Sequence, residues 1–132
     1  MKALLLILCL VGLSGCVKFK KRSLFEIPEG FSGWVLVQFE KNGAAPLPER
    51  DGERIVTIGR NGRAVTSSPL EEGWSRLDEF YFVGSQRTKI SVSEHGAGGQ
   101  VWSQANGAGY TIFFIGSEQE FEKAKLQYPH PE

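Results

Sequence analysis

Apolar and polar positions fall into three regimes along the chain: an apolar run at the start, a long middle of short segments cut by turn residues, and one helical stretch at the end. Ala3 to Leu13 is apolar apart from Gly12, follows the charged Lys2, and gives way to Ser14-Gly15. A bilayer core demands about 20 apolar residues of a helix, so this run is too short to span one. A charged start, a short apolar stretch and then small residues form the pattern of a secretory signal, predicted over residues 1–15. Residues 16–26 read as a tether, because Lys18, Lys20, Lys21 and Arg22 crowd a stretch with little apolar periodicity.

From Ile27 onward the period is short. Trp34-Val35-Leu36-Val37-Gln38-Phe39 is rich in β-branched and aromatic residues and predicts a strand. Pro46 and Pro48 exclude 44–48 from a central strand, since proline donates nothing to a ladder. Asp51-Gly52 marks a turn. Arg54 to Ile58 and Arg63 to Ser68 flank Asn61-Gly62, the strongest hairpin signal in the chain, because Asn-Gly tolerates the positive backbone angles of a type I′ turn. Phe80 to Val83 and Thr88 to Val92 read as strands around Gly84-Ser85-Gln86, and Gln100 to Ser103 and Tyr110 to Ile115 as strands around 106–109. The last of these is apolar on both faces from Ile112, which places it centrally under cover on both sides.

At the end, Ser117 and Glu120 have the spacing of a capping box, Phe121, Ala124 and Tyr128 share one helical face, and Pro129 and Pro131 stop the helix. The expected architecture is mainly β: a small antiparallel sandwich-like or half-open barrel domain over 27–128 with one C-terminal helix, preceded by a signal peptide and followed by a frayed tail at 129–132.

Composition changes this picture in one respect. The chain has 15 Lys plus Arg against 15 Asp plus Glu, and hydrophobic residues make up 41%. Removing Lys2 with the signal and setting aside Lys18, Lys20, Lys21 and Arg22 leaves 10 bases against the same 15 acids in residues 24–132. The neutral total is therefore an average over a basic stem and an acidic domain. Neither carries the broad basic footprint of a nucleic-acid binder.

Leu13-Ser14-Gly15-Cys16, directly after the apolar run, resembles the lipobox of bacterial lipoproteins. The resemblance implies that the Cys16 thiol is joined to diacylglycerol, that the signal is cut before it, and that the new amino terminus is acylated, commonly by palmitate. An uncleaved signal or an ordinary small-residue cleavage site is the alternative reading. The implied partner is membrane lipid and the implied location the cell envelope. With Val17 rather than aspartate after the cysteine, that means the periplasmic face of the outer membrane in a cell that has one. The basic stem would then either touch anionic headgroups, at about 1 kcal/mol per charge, or act as a solvated tether. Cys9 and Cys16 are the two cysteines, so with one removed and the other lipidated the mature domain has neither disulfide nor free thiol.

Candidate chemistry is sparse. Glu94-His95-Gly96-Ala97-Gly98-Gly99 has the look of an oxyanion loop, but the chain lacks the G-x-S-x-G elbow that such chemistry requires. It also lacks the glycine spacing and lysine of a phosphate cradle, which leaves a surface loop as the plain reading. His95 and His130 are the only histidines, too few for an ordinary zinc site, and no cofactor motif is present, so neither metal nor cofactor is expected. Glu71-Glu72 and Asp78-Glu79 bracket Trp74 and could supply the acid and base of a glycan or peptide hydrolase, with His95 assisting. Surface acids on a loop are the simpler account. Trp34 and Trp102 are expected mainly in the core. Trp74 and His95 are left as candidate surface contacts for an envelope protein or glycan.

Ile27-Pro28-Glu29-Gly30-Phe31-Ser32-Gly33-Trp34-Val35, together with Asp51-Gly52, Asn61-Gly62, Thr66-Ser67-Ser68-Pro69, Gly73-Trp74, Phe80-Tyr81-Phe82-Val83-Gly84 and Phe113-Phe114-Ile115-Gly116-Ser117, resembles a family of small exported or lipid-anchored bacterial proteins of unknown function. The resemblance runs over roughly 25–125 and implies one exported domain with no assigned catalytic residue. The sequence thus predicts a lipid-anchored envelope protein whose domain is a non-catalytic binding or structural module, with an envelope hydrolase as the alternative.

Overall fold

The computed structural model describes residues 19–71, 74–75, 78–92 and 100–132. The signal segment, Cys16, Glu72, Gly73 and the His95 loop lie outside the described residues. Eleven strands and one helix are present among those described: β1 (Phe19–Lys20), β2 (Ser23–Pro28), β3 (Gly33–Gln38), β4 (Glu49–Arg50), β5 (Glu53–Thr57), β6 (Arg63–Val65), β7 (Trp74–Ser75), β8 (Glu79–Val83), β9 (Arg87–Lys89), β10 (Val101–Gly107), β11 (Tyr110–Ile115) and α1 (Glu118–Ala124). They form a five-stranded sheet in the order β4-β5-β2-β8-β9, a four-stranded sheet in the order β10-β11-β3-β6, and a two-stranded ribbon β1-β7.

The two larger sheets meet through alternate residues. Phe25 and Ile27 of β2, Val56 of β5 and Phe80 of β8 face Val35 and Val37 of β3 and Phe113 and Ile115 of β11 in one buried cluster. Phe25 stacks on Phe80 at 4.9 Å between ring centroids, and both meet Phe113 edge-on at 5.1 and 5.0 Å. Each such ring pair adds about 0.5–1.5 kcal/mol beyond the area it buries.

Residues of the opposite parity in the four-stranded sheet form a second apolar face, and the helix covers it. Ser117 caps α1, its hydroxyl accepting from the Glu120 amide at 3.2 Å while Glu120 accepts from the Ser117 amide at 2.7 Å. The Ser117 amide first, and then its hydroxyl, holds the Glu120 carboxyl below the usual range. Phe121 lies parallel on Trp102 at 5.3 Å and meets Phe114 and Trp34 at 5.6 and 6.1 Å. The Trp34 indole donates to the last helical carbonyl, Ala124, at 2.9 Å, and Trp102 donates to Gly116 at 2.9 Å. Both tryptophans are thus packed, Trp102 buried and Trp34 half-buried, but beneath the helix rather than between the sheets. The helix ends at Ala124, one turn before Pro129. The main-chain oxygen of Glu132 then accepts from Lys41 at 2.6 Å and from Gln38 at 3.2 Å, which lays the 129–132 tail against the end of β3.

The mainly β class with a C-terminal helix matches the expectation, and the sheets do not close on themselves. Their pairing differs from a purely antiparallel arrangement, because β2 runs parallel to both β5 and β8, and β6 parallel to β3. Parallel neighbours need long connections, and here those connections cross between the layers. The expected Asn61-Gly62 hairpin is one of these corners. β5 stays in the five-stranded sheet while β6 joins the four-stranded one. Asn61 keeps a negative φ and its side chain accepts from the Arg63 amide at 3.1 Å, while Gly62, at φ 77°, gives its carbonyl to the Leu36 amide at 2.9 Å. A Cβ on Gly62 would stand 2.5 Å from the Trp34 carbonyl, so the glycine is set by close backbone approach as well as by its angle.

The second difference is at the start. Residues 23–26, assigned from sequence to the tether, form most of β2, the middle strand of its sheet, and Leu24, Phe25 and Ile27 are buried. The stem is built into the fold.

Candidate functional site

The densest polar arrangement among the described residues is where the stem enters the sandwich. Three bases that sequence alone leaves in solvent or at headgroups are spent on the domain's acids. Lys20 Nζ lies 3.8 Å from Asp78 Oδ2, with the two side chains only 11% and 9% exposed. Lys21 Nζ meets Glu49 at 2.6 Å. Arg22 spreads its guanidinium between Glu53 and Glu79, the latter at 3.0 Å, and its Nε is buried with no partner among the described residues. The backbone is fastened to the same acids: the Ser23 amide donates to Asp78 Oδ1 and the Lys21 amide to Glu71 Oε2, each at 3.0 Å.

Two further groups tie this seam to the core. Arg54, buried on the inner side of β5, donates to the Pro69 carbonyl at 2.9 Å, lies 3.9 Å from Glu71 and stands 5.5 Å from the Phe39 ring centre. Glu71 therefore bridges a stem amide and a core cation. On the outer face of the five-stranded sheet, Tyr81 donates its hydroxyl to Glu79, and Lys89 reaches the same carboxylate at 3.4 Å. The tyrosine hydroxyl above all, then Lys89 and Arg22, holds the Glu79 carboxyl below the usual range against the opposing pull of burial. The same bond, with burial, pushes the Tyr81 hydroxyl up. Arg87 covers Tyr81 at 4.1 Å from the ring centre and reaches Glu26 at 3.9 Å.

The sequence-predicted residues distribute as follows. Glu71, Asp78 and Glu79 come together, but as counter-ions of the stem and of Arg54, each with a cation or an amide already on it. Trp74 lies in β7, where its backbone pairs in parallel with Phe19, so the candidate contact residue sits beside the stem. Glu72 and His95 lie outside the described residues, and no group of three or more His, Cys, Asp or Glu able to hold a metal occurs among those described. Sequence reading missed Arg22, Arg54 and Tyr81. The signal for Arg22 and Lys20 was present as a basic run opposite a domain with five surplus acids, a complementarity within the chain.

Two open clefts occur among the described residues away from this seam. One of about 610 Å³ lies between Gln38–Lys41, the Ala108-Gly109 turn and the C-terminal tail, and one of about 310 Å³ between Glu29–Ser32 and Arg60. No helix among the described residues is long and apolar enough to cross a membrane.

A family model, described as a family of unknown function and designated DUF6843, matches residues 19–128. The chain belongs to this family. Its match begins at Phe19, on the first described strand, so the family's domain includes the stem from β1 onward. No curated protein matches the chain. Among solved structures, a candidate lipoprotein from Bacillus anthracis has a similar fold, with a TM-score of 0.56 and 22% identity over 87% of this chain and 85% of that one. At that identity the likeness speaks for the fold.

Proposed function

We propose that this family member is a lipid-anchored cell-envelope protein whose domain is a non-catalytic binding or structural module. The observation that carries the reading is the placement of Leu13-Ser14-Gly15-Cys16 directly after an apolar signal-like run and just ahead of Phe19, where the described residues and the family's match both begin. The description of the similar Bacillus anthracis protein as a candidate lipoprotein supports it. Cys16 would carry diacylglycerol on sulfur and an acyl chain such as palmitate on nitrogen, and more than one chain is what makes such anchoring stable. In a cell with two membranes, Val17 favours the periplasmic face of the outer one. The partners are then membrane lipid and an envelope protein or glycan.

The binding reading is preferred to a hydrolase because Glu71, Asp78 and Glu79 already neutralise Lys20, Arg22 and Arg54, whereas a general acid needs a carboxyl kept neutral near working pH. Glu79 is pushed the other way. The test is fractionation of cells making the natural chain and Cys16→Ala. The natural protein is expected in membranes and resistant to salt extraction, and the variant is expected in the soluble fraction. A variant that still pellets and resists salt would remove the anchor.

A further inference from the structure

Phe19 is three residues from Cys16, and three residues of fully extended chain span at most about 11 Å. That length exceeds the depth of a bilayer's headgroup zone, about 5–8 Å on each side of a roughly 30 Å core, by only a few Å, so Phe19 stays in or just above that zone. A long flexible stem would let the domain drift away from this zone. Here it cannot, because the residues immediately following are fixed to the domain: Lys20 to Asp78, the Lys21 amide to Glu71, Arg22 to Glu53 and Glu79, and Ser23 in the centre of a five-stranded sheet.

We propose that the β1-β7 ribbon is a membrane-contacting surface that lies in the headgroup layer of the bilayer holding Cys16. This rests on the lipid-anchor reading and adds an orientation to it. The ribbon pairs Phe19 with Trp74 and Lys20 with Ser75 in parallel register, which puts two aromatic residues at neighbouring backbone positions on the first described strand after Cys16. Aromatic residues, tryptophan foremost, are favoured at the membrane interface because the ring is apolar and amphipathic. The occupant is lipid rather than another protein because covalent reach fixes which surface lies within about 11 Å of the acyl chains. The opposite pole is also defined. β8 starts at Glu79 beside the stem and runs parallel to β2 to Val83, about 13 Å farther along the sheet, with the exposed β8-β9 turn at Ser85 just beyond that end.

The chain offers a clean probe, since Cys9 leaves with the signal and the Cys16 thiol is consumed by lipid, so an introduced cysteine is the sole thiol. Lipidated Ser75→Cys and Ser85→Cys proteins, each carrying an environment-sensitive fluorophore, would be reconstituted in vesicles of phosphatidylethanolamine and phosphatidylglycerol containing headgroup-spin-labelled lipid. The label at 75 is expected to be quenched several-fold more strongly than the label at 85. Inserting a flexible Gly-Ser linker between Val17 and Lys18 should abolish the difference while leaving the circular dichroism spectrum unchanged. Mass spectrometry of the N-terminal peptide separates the two readings. A lipidated protein with equal quenching at both positions, or with none, overturns the orientation alone; an unlipidated Cys16 overturns both.

Discussion

The two ends of the described chain are both laid against the sandwich, by opposite means. The stem is held by charges: Lys20, Lys21 and Arg22 reach Glu49, Glu53, Asp78 and Glu79, and Glu71 takes a stem amide. The C-terminal helix is held by rings, with Phe121 on Trp102, Phe114 and Trp34. The partly exposed pairs of Lys21 and Arg22 contribute about 0–1 kcal/mol each, and the attraction in the nearly buried Lys20–Asp78 pair is offset by desolvation, so the stem contacts position more than they stabilise. Stacked aromatics and the apolar area they cover supply larger increments. One end of the chain is therefore fixed in direction and sensitive to pH and salt, while the other is a component of the core's stability. On the proposed anchoring, the first property would set which way the domain faces, and a domain with no cysteine after Cys16 depends on the second.

The comparison can be broken or sharpened by experiment. The largest effect is expected from shortening the chain. A protein beginning at Ser23 keeps β2 and should fold with some loss of stability, whereas one beginning at Ile27 loses most of the central strand of its sheet and should not fold, as read by far-ultraviolet circular dichroism and amide dispersion in NMR. A folded Ile27 protein would return 23–26 to the tether. Trp102→Ala comes next. Removing a buried ring that stacks on Phe121 and donates to Gly116 should cost about 3–5 kcal/mol in denaturant unfolding and detach the helix face.

Arg22→Met should cost less, about 1–2 kcal/mol, because Glu53 and Glu79 remain near each other without their shared cation but still reach water. The smallest stability change is expected from Tyr81→Phe, whose main effect is on titration. The Glu79 carboxyl, held below its unfolded value, contributes stability that is present above about pH 4.3 and lost as pH falls through its folded value. Tyr81, whose hydroxyl is pushed up, contributes stability present below about pH 10 and lost as pH rises through its folded value. Without the hydroxyl, Glu79 loses the chief cause of its shift, and carboxyl NMR should show it titrating closer to the ordinary range.

Much of the fold was legible in the sequence because strand period and helix capping are local. β3, β8, β11 and the Ser117–Glu120 box are all set by residues within one segment. Partners were not legible. Asn61-Gly62 reads as a hairpin because its neighbours alternate, yet nothing local records that β6 joins β3 while β5 stays with β2. β2 was hidden for a related reason: Leu24, Phe25 and Ile27 follow a basic run and precede Pro28, and their burial depends on β5 and β8, which lie some 30 and 55 residues later. The seam was half legible. The basic stem and the acidic domain were each plain from composition, but that they answer each other is a fact of three dimensions. For the same reason Glu71, Asp78 and Glu79 looked like free acids when considered without Lys20, Arg22 and Arg54.

The central claim is that the stem belongs to the folded domain, so that an anchor at Cys16 fixes where the domain points. Native-state hydrogen exchange reads this directly at three amides: Lys21, which donates to Glu71; Ser23, which donates to Asp78; and Arg54, which donates to the Arg22 carbonyl at 3.0 Å. All three are expected to exchange far more slowly than free chain, and Lys21 and Ser23 to speed up in Arg22→Met while β11 stays protected. Exchange of Lys21 and Ser23 at free-chain rates in the natural protein, with β11 protected, would contradict the account.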